Sequence, residues 1–286
     1  MQILKALLGE TSLETFLNKN FTRLPYSAPD AARPLASYLD WTVVQKVLES
    51  KKATLRIVKD GAVTVDSEQM SYDQARKHYF EGNTLVLRYA EKGHSLLKSL
   101  ADDFAAPFRT EVDIQLYCTP AGHNAFGWHY DIEEVFVIQT KGSKEYTLRP
   151  NTVHPKPLLS SVPKDMGYEN ENGEQVLKVL MQAGDWLYIP SGWWHIARTQ
   201  SESMHISVGL MPRSAVDVLE LLPKYLCKNA YWRSRLPVHK NFNDQDEEVA
   251  FYQEAMQSLA ADLKHQMSSR EFIQFFLQEE KNRIKK

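Results

Sequence analysis

The chain has 286 residues, 43% hydrophobic and 24% charged, with a formal net charge of −2 at pH 7. That composition suits a globular protein with a sizeable core, and the near-neutral balance provides no global field to draw it to nucleic acid or a membrane surface. Cys118 and Cys227 are too few for a disulfide framework or a cysteine-held zinc or iron–sulfur site. The opening stretch is too short and weakly apolar for a signal peptide, and no run approaches the roughly 20 apolar residues that span a bilayer. The expectation is a cytoplasmic protein, in a reducing compartment.

Thr11-Ser12-Leu13-Glu14 carries a capping-box pattern ahead of Leu13, Phe16 and Leu17, which predicts a helix over about 12–19. Asp40 is placed to cap a second helix with Val43, Val44, Val47 and Leu48 on one face; Pro25, Pro29 and Pro34 mark a surface loop between the two. Leu55 with Ile57, and Val63 with Val65, alternate on either side of Lys59-Asp60-Gly61, the pattern of a hairpin. Ser71-Tyr72-Asp73-Gln74 opens a short helix that Gly82 closes. Residues 84–89 then form a strand, and a helix follows around Leu96, Leu97 and Leu100.

From residue 111 to 211 the texture changes to short strands, predicted at 111–117, 135–140, 144–148, 176–181, 186–189, 195–198 and 204–211. Turns fall at Lys141-Gly142, Glu171-Asn172-Gly173, Ala183-Gly184-Asp185 and Ser191-Gly192. Several short strands with no helix-length insertion argue for an antiparallel barrel or jelly roll. The stretch 151–175, with Pro155, Pro157, Pro163, Gly167 and Gly173, is a lid, a substrate platform or a plain insertion. After Pro212 helical spacing returns: one helix opens at Ser214-Ala215-Val216-Asp217 and should bend or end at Pro223, a second covers about 244–267, and Ser268-Ser269-Arg270-Glu271 caps a third. The chain thus divides into 1–212, with a helix-and-strand scaffold over 1–110 and a barrel core over 111–212, and a helical region over 213–286.

The chemistry concentrates at Gly127-Trp128-His129-Tyr130-Asp131 and at Trp193-Trp194-His195. On a strand His129 and Asp131 point to one face, because side chains alternate with period two. With His195 from a later strand they form two imidazoles and a carboxylate on one side of an ion, leaving the other side open, as non-haem Fe(II) requires. His-x-Asp alone is a common chance pair; the combination is more specific. His123, His154 and His205 lack this spacing and are taken as non-ligands, although His205 could reach the site from a neighbouring strand. Trp128, Trp186, Tyr188, Trp193 and Trp194 are mostly packing residues.

Tyr117-Cys118-Thr119-Pro120-Ala121-Gly122, Phe126-Gly127-Trp128-His129-Tyr130-Asp131 and Glu134-Val135-Phe136-Val137-Ile138-Gln139, continued by residues 184–195 and by Ser207-Val208-Gly209-Leu210, resemble the Jumonji-C, cupin-type 2-oxoglutarate oxygenases. Within them the closest resemblance is to the ribosomal-oxygenase group, which includes bacterial ribosomal-protein arginine hydroxylases, and it is clear over roughly residues 82–213. It implies a mainly β fold with flanking helices, built on a double-stranded β-helix (jelly-roll) core with a C-terminal helical region. It further implies Fe(II) held by His129, Asp131 and His195, with 2-oxoglutarate and O2 as co-substrates. Lys144 falls where the family keeps a cation for the far carboxylate of 2-oxoglutarate, with Lys141 and Arg149 in reserve. Gln115 stands where the family often has Asn, Ser207 where a hydroxyl joins the co-substrate network, and Tyr117 where a tyrosine lies beside the substrate side chain.

The activity so implied is hydroxylation of an amino-acid side chain of a protein, with a ribosomal protein among the candidates. Hydroxylation of a peptide or small molecule stays open, as does a cupin metalloenzyme that does not use 2-oxoglutarate and would not need Lys144. A non-catalytic binding protein would have no reason to retain all three ligands. Histone demethylation is known among Jumonji-C proteins, but no methyl-lysine recognition module is visible. Members acting on ribosomal proteins commonly carry a C-terminal winged helix; 213–286 is short for one, and is expected to be a homodimerisation region or helices packed on their own barrel. No direct nucleic-acid or membrane partner is expected.

Overall fold

The computed structural model describes residues 2–67, 69–159, 177–236, 238 and 241–284. They fall into two compact units, Met1–Pro212 and Arg213–Lys286. In the first unit, α1 (Gln2–Leu8) had no counterpart in the sequence reading, although Leu4, Leu7 and Leu8 recur at helical spacing and are all buried. The cap of α2 (Leu13–Lys19) is Ser12, which accepts from the Thr15 amide, and not Thr11. Thr11 donates its own amide to Leu8 at the end of α1, and this moves the cap on by one residue.

Asp40 caps α3 (Trp41–Glu49), whose Val43, Val44, Val47 and Leu48 are buried, and Ser71 with Gln74 forms the capping box of α4 (Tyr72–Phe80). The proline-marked stretch between α2 and α3 holds a short strand, β1 (Tyr26–Ala28), flanked by Pro25 and Pro29. An edge strand tolerates such neighbours because its outer groups need no partner. The hairpin is β2 (Thr54–Lys59) and β3 (Ala62–Ser67), followed by β4 (Thr84–Arg88) and α5 (Ser95–Phe108), which buries Leu97, Leu100, Ala101 and Phe104.

The seven strands expected from the later sequence are present as β5 (Val112–Thr119), β6 (Glu134–Lys141), β7 (Ser143–Arg149), β8 (Leu177–Gln182), β9 (Trp186–Ile189), β10 (Trp194–Thr199) and β11 (Ser203–Leu210). Together with β1–β4 they form one sheet in the order β1-β9-β6-β11-β5-β4-β2-β3 and a second in the order β10-β7-β8, with antiparallel pairing throughout. Residues 160–175 of the possible lid, including the turn at Glu171-Asn172-Gly173, lie outside the described residues.

β6 shows how the layers are set. Its side chains alternate, so Val135 and Val137 face the space between the sheets with Tyr146, Leu148, Met181, Leu187 and Ile189, while Phe136 and Ile138 face the helical layer. The Phe136 ring lies 4.9 Å from Tyr188, 5.0 Å from Phe104, 5.7 Å from Trp186 and 5.8 Å from Phe16, centre to centre. The helices thus brace the outer face of the sheet whose inner face lines the site.

In the second unit, α6 (Ala215–Leu226) starts at the capping box of Ser214 and Asp217 and continues through Pro223 instead of ending there. Leu222 and Leu226 flank that proline and are buried with Phe272, so packing outweighs the one backbone bond that proline removes. Beyond α7 (Ala230–Arg233), Asp244 caps α8 (Gln245–Ser268), and Ser269 accepts from the Phe272 amide at the start of α9 (Arg270–Ile284).

Truncating Phe136 to Ala removes the centre of the aromatic layer, and urea denaturation should show a loss of about 3–5 kcal/mol.

Candidate metal centre

The His129-x-Asp131 segment was expected on a strand. It is instead an extended loop ahead of β6, and among the described residues its one sheet-like pairing is an isolated antiparallel bridge between His129 and His195. The His129 amide donates to the His195 carbonyl at 3.1 Å and the His195 amide to the His129 carbonyl at 2.8 Å. Alternation survives without the strand: Tyr130 turns inward against Trp194 at 4.8 Å, while His129 and Asp131 turn the other way. One residue pair therefore brings the two ligand-bearing segments together. The Gly192 amide adds a bond to the Asp131 carbonyl at 2.8 Å.

The ligand atoms of His129, Asp131 and His195 all lie within 4.8 Å of one another, and His195 Nε2 is 3.5 Å from Asp131 Oδ2. The Nδ1 of His129 faces the Gly127 carbonyl at 2.9 Å, and that of His195 faces the Trp193 carbonyl at 3.0 Å. A carbonyl can only accept, so both Nδ1 atoms carry the proton and both Nε2 lone pairs are left for a metal. Burial, together with the neighbouring His129, lowers the pKa of His195 to about 4, so it is neutral at pH 7. This donor set fits Fe(II): two imidazoles and one carboxylate on one side, with the far side facing a cavity.

That cavity lies between the two sheets, beside the triad. Val135, Val137, Ile189 and Ala197 supply apolar wall, and Tyr117, Lys144, Tyr146, His205 and Ser207 supply polar groups beside the triad. Lys144, on β7, is 2% exposed. Its Nζ donates to Thr119 Oγ1 at 3.0 Å and lies 3.4 Å from His205 Nδ1. Burial drops its pKa to about 7. The ammonium is thus buried and held by neutral groups, which is costly until an anion pairs with it.

The other expected residues separate into those at the cavity and those behind it. Tyr117 and Ser207 line it, on neighbouring strands β5 and β11. Gln115 is not among the lining residues: its side-chain oxygen accepts from the Tyr117 hydroxyl at 3.2 Å, and its amide donates to Asp113 at 3.1 Å. Lys141 pairs with Glu202 at 2.9 Å and Arg149 lies over the Trp128 ring at 4.7 Å, so neither reserve cation takes the place of Lys144. His205 is no ligand, yet it lines the cavity, contacts Lys144 and stacks on Tyr117 at 4.5 Å. Thr119 was missed; the signal was its position two residues beyond Tyr117 on the same face of β5.

Residues 94–218 match the JmjC domain. Among curated proteins the chain is similar to the bifunctional lysine-specific demethylase and histidyl-hydroxylase NO66 of Dictyostelium discoideum, 34% identical over 153 residues, which are 51% of this chain and 29% of that protein. The protein of the same name from Drosophila mojavensis is 26% identical over 251 residues, 83% of this chain and 28% of that protein. The chain spans less than a third of the length of these relatives. Among solved structures it is similar to the Escherichia coli ribosomal oxygenase YcfD, with a TM-score of 0.61 at 19% identity over 93% of this chain and 70% of that one. YcfD in complex with cobalt and 2-oxoglutarate gives a TM-score of 0.60 at 19% identity over 92% and 69%. The likeness to YcfD is one of fold, and both comparisons agree with the double-stranded β-helix read from the sequence.

Gly192 stands at φ +80, and a Cβ there would lie 2.7 Å from Pro157 Cδ. Gly192→Ala combines left-handed backbone strain of about 1–2 kcal/mol with an overpacking cost of about 1–3 kcal/mol. Chemical denaturation should register a loss of that combined order, and chelator competition should show weaker Co(II) binding.

Proposed function

We propose that this chain, which carries a JmjC domain, is an Fe(II)- and 2-oxoglutarate-dependent oxygenase that hydroxylates an amino-acid side chain of a protein. The observation that carries the reading is the meeting of an open-sided His129, Asp131 and His195 set with the buried Lys144 ammonium in one cavity. A cupin metalloenzyme with no acidic co-substrate would have no use for that cation.

His129 and His195 present preset Nε2 lone pairs, and Asp131 adds the one negative charge among the ligands. Bound Fe(II) and its keto-acid co-substrate supply the activation of O2. Lys144 pairs with the far carboxylate of 2-oxoglutarate, while Thr119 and His205 hold its Nζ on the cavity side. Val135, Val137, Ile189 and Ala197 keep water from that ion pair and so strengthen it. Tyr117 and Ser207 stand on the wall where co-substrate and substrate meet, and Gln115 holds the Tyr117 hydroxyl from behind. The NO66 relatives are named histidyl-hydroxylases and YcfD a ribosomal oxygenase, which supports a protein side chain as substrate and a ribosomal protein as its first candidate. The cytoplasm is the compartment that goes with this reading.

For the C-terminal unit we propose self-association through α8. Val249, Tyr252, Met256 and Ala260 recur at helical spacing along an open trough on that helix, and Val249 and Met256 are 48% and 47% exposed. A second copy offers the same apolar stripe, and two such stripes cover one another in an isologous contact.

Under anaerobic conditions, Fe(II) followed by 2-oxoglutarate should give the weak visible metal-to-ligand charge-transfer band of a chelated keto acid, absent in His129→Ala and weakened in Lys144→Ala; Fe(II) binding without a band would defeat the 2-oxoglutarate assignment. The affinity for 2-oxoglutarate should fall as pH rises above about 7. Lys144 is charged below its pKa of about 7, and above it binding must take up a proton, at a cost of up to about tenfold per pH unit. Light scattering should give a dimer for the whole chain and a monomer for Val249→Glu/Met256→Glu; a monomeric parent protein would end the dimer proposal.

A further inference from the structure

We propose that Thr22, Tyr188 and Glu134 form a positioning relay that holds the two ligand-bearing segments in register, so that the turn after α2 supports the metal centre although it lies outside the stretch matched to the JmjC domain. The inference rests on the metal-centre reading above and extends it to residues that touch neither metal nor cavity.

Glu134 opens β6, three residues after Asp131, and is 4% exposed. A carboxylate buried there is costly unless its oxygens are filled. Glu134 Oε2 accepts from the Tyr188 hydroxyl and, at 3.2 Å, from the Ser191 amide. Ser191 returns a bond, its Oγ donating to the Ile132 carbonyl at 2.9 Å, and the next amide, Gly192, reaches the Asp131 carbonyl at 2.8 Å. Residues 131–134 are thereby stitched to 191–192, just ahead of His195.

The Tyr188 hydroxyl has one proton and commits it to Glu134, so its remaining partner must be a donor. That donor is the Thr22 amide at 2.8 Å. To aim it there Thr22 sits at φ 62, a left-handed conformation that is an outlier for a β-branched residue. Such strain persists only where the surroundings over-determine it. Here Phe21 stacks on Phe108 at 4.6 Å and on Tyr188 at 6.1 Å and holds the turn in place. The strained residue thus supplies a backbone N–H to the buried Tyr188 hydroxyl, which in turn donates to Glu134.

Groups that orient metal ligands from behind change metal affinity by about 10–100-fold when removed. The test is Co(II) titration of the metal-free whole chain, read by visible absorption and chelator competition, with melting curves of the metal-free proteins alongside. Glu134→Ala should lose about 10–100-fold in Co(II) affinity. Glu134→Gln keeps an oxygen for Tyr188 and Ser191 and should recover most of it. Tyr188→Phe, the second variant should Glu134→Ala not fold, should lose about tenfold. Thr22→Gly retains the amide, and should keep its affinity and melt higher. Leu55→Ala, a core truncation in the hairpin, should melt lower with Co(II) affinity unchanged. Unchanged affinity in folded Glu134→Ala or Tyr188→Phe, or an equal loss in Leu55→Ala, would overturn the relay alone. Parent protein that binds no Co(II) would remove the metal centre itself, and the relay with it.

Discussion

Two backbone hydrogen bonds between His129 and His195 carry the architecture of the site. They join a loop to a strand at two of the three clustered donor residues, so the bridge and the proposed ligand set are one object. Because each histidine also commits Nδ1 to a carbonyl two residues before it, the bridge fixes ring orientation and tautomer together with backbone position. Little conformational entropy remains to be lost when an ion arrives, and preorganisation of this kind separates a metal site from three polar side chains that happen to be near one another.

Around that bridge the rest of the first unit acts as support. β6 is buried on both faces, with Val135 and Val137 lining the cavity and Phe136 anchored in the aromatic layer, so the strand that follows the ligand loop has no freedom to shift. The turn at Ser191-Gly192 is pinned to the same loop from the other side. Electrostatics then divides the cavity: the half-exposed Asp131 carboxylate with the two histidines on one side and the buried Lys144 ammonium on the other, in a low-dielectric wall where its charge interactions are strong. The polarity suits a ligand that chelates at one end and is anionic at the other.

Much of this was legible in residue order. The barrel strands fell where short alternating apolar runs met turn residues, since burial of one face imposes a period of two, and β9 coincides with the run 186–189. Caps at Asp40, Ser71 and Ser214 were readable because a side-chain oxygen must satisfy orphan amides at a helix start. Where local rules failed, a tertiary contact had outweighed them. α6 passes Pro223 because Leu222 and Leu226 are buried on either side of it, and β1 forms among prolines because β9 offers it an edge. The His129-x-Asp131 pair keeps the alternation of a strand without being in one.

By itself the sequence determined the donor types, His129, Asp131 and His195, the strand that delivers His195 and a lysine on β7, because periodicity and residue chemistry are local properties of the chain. Tertiary structure alone decided which groups stand together. It set Thr119 and His205 against Lys144, drew Gln115 back behind Tyr117, and brought Thr22 to Tyr188 and Glu134 across a long span of chain. Those contacts arise from the pairing of β5 with β11 and the folding of the N-terminal turn over β9, and no local pattern encodes a neighbour that only long-range strand order creates.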